Sequence, residues 1–414
     1  MTPTQTLLDQ YTRWEAPGIE RPTPLPDSLI HTEEFQKLFD EKRFSELVAN
    51  VRNGQLTMDK CWIPGAELRA PEREDFSGIT AAEFPELRDL GWEAVKKGLL
   101  GMIILAGGTS SRLKENKIFL EALPGKSLLY IKYMTTRGIS ERRGLAIPLC
   151  IMTSPFTTPL VLEDLGNHGI RAGKDYLLFE QPVAPRVTER GELVSYQGQI
   201  QFDVTGHGAI FSAIRQSGVL TKFAQWGVRI LIQSNTDNPF VLLDANGENP
   251  LWAYIGHHLK KRSRITAQIS RKEPTQRGGV PLWVRTSNGN ERLAIVEESQ
   301  IDPKFYKEIH YKLPYFNPLT LIYDVDALKS FDSSKLPWVI IRRIENASGS
   351  PFHYYRFETF SGSITLSEET TYLPDTIPGI FEDGMFAQLK NEEQLPTFRK
   401  TLQERLAAFI PPVI

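Results

Sequence analysis

Leu99-Leu-Gly-Met-Ile-Ile-Leu-Ala106 runs without a break into Gly107-Gly-Thr-Ser-Ser-Arg112. A strand that exposes one face alternates apolar and polar residues, whereas an unbroken apolar strand is buried on both faces. The stretch therefore predicts a central parallel strand, and with it an α/β fold. Gly98 ends an amphipathic helix at residues 86–97 just upstream. Further strands are expected at 145–152, 228–233 and 319–323, with helices between them at 157–165 and 208–226. Strand, loop, helix, strand is the pattern of a doubly wound sheet flanked by helices.

Outward from this centre the pattern changes. In residues 1–92 the spacing of Phe35, Leu38, Phe39 and Leu47 behind Thr32, a candidate N-cap, predicts helix, interrupted by Pro-rich turns. Residues 265–270 and 281–284 read as a strand pair, with 291–295 joining after the Ser287-Asn-Gly-Asn290 turn as a small antiparallel insertion. Past about residue 350 come short strands at 352–360 and 364–366, then a helix at 397–410 stopped by Pro411 and Pro412. The expected organisation is a mainly helical region 1–92, an α/β domain 93–345 and a small C-terminal α/β region 346–414.

Bulk properties narrow the chemistry. Lys plus Arg is 48 and Asp plus Glu is 50, a formal net charge of -2, which does not suit a nucleic-acid-binding chain. The N-terminus lacks a basic segment followed by an apolar one, and no apolar run approaches the ~20 residues of a membrane span. A cytoplasmic protein with small-molecule substrates, no nucleic acid and no membrane is the expectation; protein partners stay unassigned. Cys61 and Cys150 read as two unconnected thiols, and no Cys/His cluster has zinc spacing.

The loop after the first strand suits an anion. Gly107 and Gly108 permit close backbone approach, successive N–H groups cradle phosphate oxygens, and Ser110 and Ser111 add hydroxyl donors. Arg112 offers a forked donor set, and Lys117 follows to neutralise growing charge. Taken alone, the glycine pair equally describes a tight turn. It matches neither the Gly-x-x-x-x-Gly-Lys nor the Gly-x-Gly-x-x-Gly pattern, which argues against an ordinary NTPase or a dinucleotide-dependent dehydrogenase.

Leu105-Ala-Gly-Gly-Thr-Ser-Ser-Arg-Leu113 resembles the signature loop of the UDP-sugar pyrophosphorylase family, with Leu123-Pro-Gly-Lys-Ser-Leu-Leu129 as its continuation. Later segments are similar to that family's motifs in the same order. These are Ile147-Pro-Leu-Cys-Ile-Met-Thr-Ser154, Phe179-Glu-Gln-Pro182, Gly206-His-Gly208, Ser234-Asn-Thr-Asp-Asn238, Val296-Glu-Glu-Ser299 and Phe316-Asn317. The resemblance, spanning about residues 95–370, implies a mostly parallel Rossmann-like nucleotidyltransferase sheet. It also implies transfer of a uridylyl group from UTP to a sugar 1-phosphate, with Mg²⁺ and release of pyrophosphate.

Site roles follow from the same resemblance. Leu105, Ala106, Gly107, Gly108, Thr109, Ser110, Ser111, Gln181, Gly206, His207 and Gly208 would hold the nucleotide, with Gln181 on the uracil edge. Arg112, Lys117 and Asp237 would carry the chemistry, Asp237 as the Mg²⁺ ligand. Asn238, Gly279, Glu297 and Asn317 would face the sugar. Two of these positions also have readings of their own. Asp237 ends an apolar strand, where an open α/β sheet keeps its active-site carboxylates, although Asp-Asn equally makes an Asx turn. His207 is expected to position the nucleotide and not to act as a base, because the acceptor is already a phosphate.

The departures are as informative. Ser110-Ser111 replaces a usual Gly-Thr, Asn116 a usual Pro, and Thr376 stands where the family's second, phosphate-binding lysine is usual. Lys272 and Arg356 are the candidate substitutes for that cation. In 271–279, Gln276 or Arg277 stands in place of a family Glu. These changes motivate two alternatives: a cyclitol phosphate or another NTP as substrate, and a catalytically weak protein that binds nucleotide sugars. Asp324-Val-Asp326 reads either as a metal-binding pair or, more simply, as a helix cap.

Overall fold

The computed structural model describes residues 7–30, 32–108, 116–142, 147–236, 238–239, 250–272, 278–285, 289–347, 350–380, 384, 386, 389 and 392–407. In chain order its principal strands are β1 (Leu100–Leu105), β2 (Leu149–Thr153), β3 (Leu177–Glu180), β4 (Ile230–Asn235), β5 (Ile265–Arg271) and β6 (Val280–Arg285). They continue with β7 (Glu291–Val296), β8 (Tyr315–Phe316), β9 (Leu321–Asp324), β10 (Val339–Ala347), β11 (Ser350–Glu358) and β12 (Thr370–Pro374).

β1 sits inside an eight-stranded sheet of order β8-β5-β9-β4-β1-β2-β3, with β12 also paired to β5. The pairs β4–β1, β1–β2, β2–β3 and β5–β12 are parallel. β9 runs antiparallel to both β4 and β5, and β8 antiparallel to β5. Consequently β1, β2, β3, β4, β5 and β12 all deliver their carboxyl ends to one edge of the sheet. β9 enters from that same edge and finishes at the opposite one.

Every residue of β1 is buried, as its unbroken apolarity predicts. Successive side chains point to opposite faces. Met102 and Ile104 join one core with residues from α3 (Phe84–Lys96), α4 (Leu128–Arg142) and α8 (Pro250–Lys260). Ile103 and Leu105 join a second core with α6 (Ile210–Gln216), α7 (Val219–Gln225) and α9 (Val325–Ser330). Helices therefore cover both faces, the doubly wound arrangement. Gly218, at φ +75°, separates α6 from α7 within what the sequence presents as one helical stretch. The remaining labelled helices are α1 (Glu33–Leu38), α2 (Glu41–Arg52), α5 (Thr158–Gly166) and α10 (Leu395–Ala407).

Several local expectations are corrected. The N-terminal helical run is two helices, because Asp40 starts a second one by accepting the Arg43 N–H at 2.9 Å, as Thr32 accepts that of Phe35 at 3.2 Å. β5 does not pair with β6. It belongs to the main sheet, while β6 pairs with β7 and with Leu68–Arg69. Residues 364–366 lie in a 3₁₀ turn, Ser361–Leu366, not a strand. Cys61 and Cys150 are both free thiols. Among the described residues no helix is long and apolar enough to cross a membrane.

A candidate active site at the carboxyl edge of the sheet

Where β1 ends, Ala106 still donates its N–H to Met152 O at 2.8 Å, and the chain then turns at Gly107. A Cβ on Gly107 would lie 2.1 Å from Gln181 Nε2 and 2.8 Å from Thr153 O, so only glycine fits. Gln181, just past β3, is held by its own N–H to Thr153 O at 2.8 Å. It is 2% exposed, and its Oε1 is buried with no partner among the described residues. A buried acceptor left unpaired costs roughly 1–3 kcal/mol, so such an atom points to an absent donor.

Gly108 is open to solvent, and its carbonyl accepts Asn116 Nδ2 at 3.0 Å. Asn116 in turn caps the 3₁₀ turn Lys117–Phe119, accepting the Ile118 N–H at 3.4 Å. The departure from the usual Pro thus supplies a tie between the glycine pair and Lys117, which is half-buried. Thr109, Ser110, Ser111, Arg112 and Asp237 lie outside the described residues.

Gly206 and Gly208 clamp the second turn against residues 358–361. A Cβ on Gly206, at φ +80°, would meet Thr359 O at 2.4 Å, and one on Gly208 would meet Phe360 N at 2.6 Å. His207 Nδ1 accepts the Ser361 N–H at 2.9 Å and lies 3.0 Å from Ser361 Oγ. Nδ1 is therefore the unprotonated nitrogen, and the neutral ring keeps its proton on Nε2. Burial pulls the imidazole pKa down to about 4. Behind it, Gln233 Nε2 donates to Ser361 Oγ at 2.9 Å, and Tyr323 Oη donates to Gln233 Oε1 at 2.9 Å. No motif in the sequence announces this relay. Its only signal is the polar Gln233 ending an apolar strand.

At the end of β4, Thr236 Oγ1 donates to Leu105 O at 2.7 Å, which ties the two parallel strand ends together. Asn238 follows, fully buried, with neither Oδ1 nor Nδ2 partnered among the described residues. Its backbone carbonyl accepts the ammonium of Lys132, which also donates to Ser234 Oγ at 2.8 Å. Lys132, on α4, is 1% exposed and likewise went unread. The available signal was a lysine on the stripe of Leu128, Leu129 and Thr136 that faces the sheet.

The opposite wall meets this one at Ser361-Gly362. A Cβ on Gly279 would lie 2.6 Å from Glu297 Oε1, so backbone and carboxylate are in direct contact. Asn317 donates its N–H to Gly279 O at 2.8 Å and accepts the Leu319 N–H on Oδ1 at 3.0 Å. Its Nδ2 is buried and unpartnered among the described residues, and lies 3.4 Å from where Gly362 would carry a Cβ. His207 touches Ser361 and Asn317 touches Gly362, so the two predicted groups converge.

Lys272 and Thr376 leave the adjacent parallel strands β5 and β12 at the same edge, with Ile269 opposite Pro374. Lys272 is 9% exposed, and burial lowers its pKa against the opposing pull of Glu298. Asp375, next to Thr376, is buried and accepts Ser270 Oγ at 2.7 Å. Arg356 lies elsewhere, on the β10–β11 hairpin and paired with Glu358. It borders a cleft that Glu297 also lines. Asp324 sits at the far edge of the sheet and caps α9, accepting the N–H groups of Asp326 at 2.8 Å and Ala327 at 3.2 Å. The capping reading of Asp324-Val-Asp326 therefore holds. Among the described residues no group of three or more His, Cys, Asp or Glu is placed around a metal.

Comparison with known proteins agrees with this architecture. The profile of the UTP–glucose-1-phosphate uridylyltransferase family matches residues 54–364. UDP-N-acetylglucosamine diphosphorylase 1 of Arabidopsis thaliana is 26% identical over 245 residues, 54% of this chain and 46% of that protein. A UTP–glucose-1-phosphate uridylyltransferase of Pyrus pyrifolia is 21% identical over 351 residues, 76% of this chain and 70% of its own. The chain spans about half the length of the first curated relatives it matches. In fold it resembles a UDP-glucose phosphorylase of Trypanosoma brucei, with a TM-score of 0.65 at 19% identity, covering 91% of this chain and 75% of that one. The UDP-glucose pyrophosphorylase of Leishmania major gives 0.64 at 18%, covering 87% and 75%. With the family profile matching most of its length, the chain belongs to the UTP–glucose-1-phosphate uridylyltransferase family, the UDP-sugar pyrophosphorylases.

Proposed function

We propose that the chain transfers a uridylyl group from UTP to a sugar 1-phosphate and releases pyrophosphate. The observation that carries this reading is the set of buried amide atoms at the carboxyl edge that have no partner among the described residues: Gln181 Oε1, both polar atoms of Asn238, and Asn317 Nδ2. Native proteins seldom leave such atoms unpaired. One of them, Gln181, lies directly against the glycine turn that suits a triphosphate.

The division of labour follows from residue chemistry. An acceptor phosphate oxygen attacks the α-phosphorus in line. The new P–O bond forms as the bond to the β-phosphate oxygen breaks, and the electron pair leaves with pyrophosphate. No alcohol proton has to be removed, which suits a His207 that stays neutral. Gln181 Oε1 accepts from the imide N–H of uracil. The amides of the Gly107–Gly108 turn, with Arg112 and Lys117, hold the triphosphate and neutralise its charge. Glu297 and Asn317 Nδ2 take sugar hydroxyls, while Gly279 leaves room for the Glu297 carboxylate against its backbone. Lys272, beside Thr376, is the cation offered to the acceptor phosphate.

Mg²⁺ is usually held by one or two carboxylates plus substrate phosphates; the resemblance offers Asp237, and Asn238 Oδ1, next to it in sequence, has no partner among the described residues. When bound, it would neutralise charge between the α-phosphate and the acceptor phosphate. The test is pyrophosphate release by the full chain with Mg²⁺, each NTP in turn and a panel of sugar 1-phosphates. Release with UTP, cut at least ~100-fold in turnover by Lys117→Ala, supports the assignment. Binding of UDP-sugar with no release from any acceptor would leave only the binding-protein reading.

A further inference from the structure

Past Glu297 the sugar side of the site opens into a cleft of about 1010 Å³. Its walls include Gly278, Glu297 and Phe360 on the side of the site, and Arg343, Arg356 and Glu358 on the β10–β11 hairpin. Phe360 lies against His207, with ring centroids 5.4 Å apart, and Glu297 lies against Gly279. Cleft and sugar subsite therefore share a wall.

The hairpin register places Ile341 opposite Arg356 and Arg343 opposite Tyr354. Residues two apart on a strand share a face, so Arg343 and Arg356 are diagonal neighbours on one surface. Both are half-buried. Arg356 pairs with Glu358, yet its Nε is buried and unpartnered among the described residues. Arg343 makes no side-chain hydrogen bond or ion pair among them. Burial and the like charge of Arg356 lower its guanidinium pKa, against the opposing pull of Glu358 and Asp203.

The nearby carboxylates are already engaged. Asp203 binds Arg186 at 2.8 Å in a pair that is 5% exposed on each side, Glu358 binds Arg356, and Glu298 acts on Lys272. Lys307 adds positive charge to the lining, set against the carboxylates of Glu297 and Glu298, while Arg342 faces the other side of the hairpin beside His353. Two guanidiniums on one face that share the Glu358 carboxylate leave a half-buried positive charge on that face. Forked donors of this kind bind carboxylate or phosphate in preference to water.

We propose that this cleft receives a second anionic group carried by the acceptor, so that the preferred acceptor is a sugar or cyclitol 1-phosphate bearing a carboxylate or another phosphate. Arg343 and Arg356 bind that group. The inference rests on the uridylyl-transfer reading and specifies its substrate class. It also gives Arg356 a part distinct from replacing the lysine at Thr376.

Pyrophosphate release from UTP is measured with the full chain and four acceptor conditions: a hexose 1-phosphate, a hexuronic acid 1-phosphate, a hexose 1,6-bisphosphate, and the hexose 1-phosphate with added inorganic phosphate. One of the two acidic acceptors should exceed the neutral one at least ~10-fold in kcat/KM, the size of a single charge-assisted hydrogen bond. Arg343→Gln should erase that ratio, mainly through KM, and Arg343→Lys should retain part of it. Equal use of neutral and acidic acceptors, or a preference that survives Arg343→Gln, overturns the inference while uridylyl transfer stands. Stimulation of the hexose 1-phosphate reaction by free phosphate also overturns it, because the anion would then be a separate effector. Absence of pyrophosphate from every acceptor overturns the transfer reading itself, and this one with it.

Discussion

Gly107 and Gln181 show how tightly the site is specified at the scale of single residues. A methyl group at Gly107 would occupy the space of the Gln181 amide. Gly107→Ala should therefore displace that amide and lower kcat/KM for UTP by about 100-fold, the size of one lost interaction made to a buried polar group. Near-normal UTP kinetics in that variant would remove Gln181 from the base subsite. Histidines supply a second prediction at this scale. His207 and His258 both have pKa values pulled down to about 4 by burial, from an ordinary 6.5. The unfolded chain takes up protons as pH falls through 6.5, while the folded chain takes them up only near 4. Folding free energy is thus intact above 6.5 and lost as pH falls from 6.5 towards 4. His258, 2% exposed and 2.9 Å from Thr266 Oγ1, shares this dependence with His207 and lies away from the candidate site. Urea midpoints compared at about pH 7.5 and about pH 5 should fall less in His258→Gln than in the natural chain.

At the scale of elements, α3 and α8 are joined by two glycines. A Cβ on Gly91 would come within 1.9 Å of Trp252 O, and one on Gly256 within 1.8 Å of Leu87 O. The helices meet backbone to backbone. Gly256→Ala should separate them and destabilise the chain by about 1–3 kcal/mol, the usual cost of overpacking, despite the better helix propensity of alanine. Unchanged stability in denaturant would show that the contact can relax. α8 also explains why it is hard to see in sequence. Residues 250–258 are all buried, so Leu-Trp-Ala-Tyr-Ile-Gly-His-His carries no polar stripe to reveal a helical period. α3 kept one, with Leu87, Ala94 and Val95 buried, and is legible. β5 departs from its expected pairing for a related reason. Its alternation fits any neighbour, and its true partners, 321–323 and 370–374, are distant in sequence.

For the whole molecule, strand direction decides what the site contains. Parallel β1, β2, β3, β4, β5 and β12 bring Gly107, Gln181, Asn238, Lys272 and Thr376 to one edge, while the antiparallel β9 carries Asp324 to the other. Ligand binding across that edge couples elements far apart in the chain. Saturating UDP-sugar should stabilise the full chain by about 2.7 kcal/mol at a hundredfold excess over Kd, read as a rise in the unfolding midpoint. Gly107→Ala should lose most of that rise. An equal rise in the variant would place the ligand away from this edge.

What the sequence determined by itself is local. An unbroken apolar run must be buried on both faces, a glycine pair after it must turn, and Thr32 must cap, because those outcomes depend on neighbours a few residues away. The ordered motifs added Gln181, His207, Glu297 and Asn317 through resemblance. Only the tertiary structure decided that Lys132 reaches the strand end at Asn238, that Tyr323, Gln233 and Ser361 support His207, and that Arg343 stands beside Arg356 along the wall of the cleft that Glu297 also lines. Those contacts join residues brought together by strand pairing and helix packing, and pairing across long separations leaves no period in the sequence from which to read it.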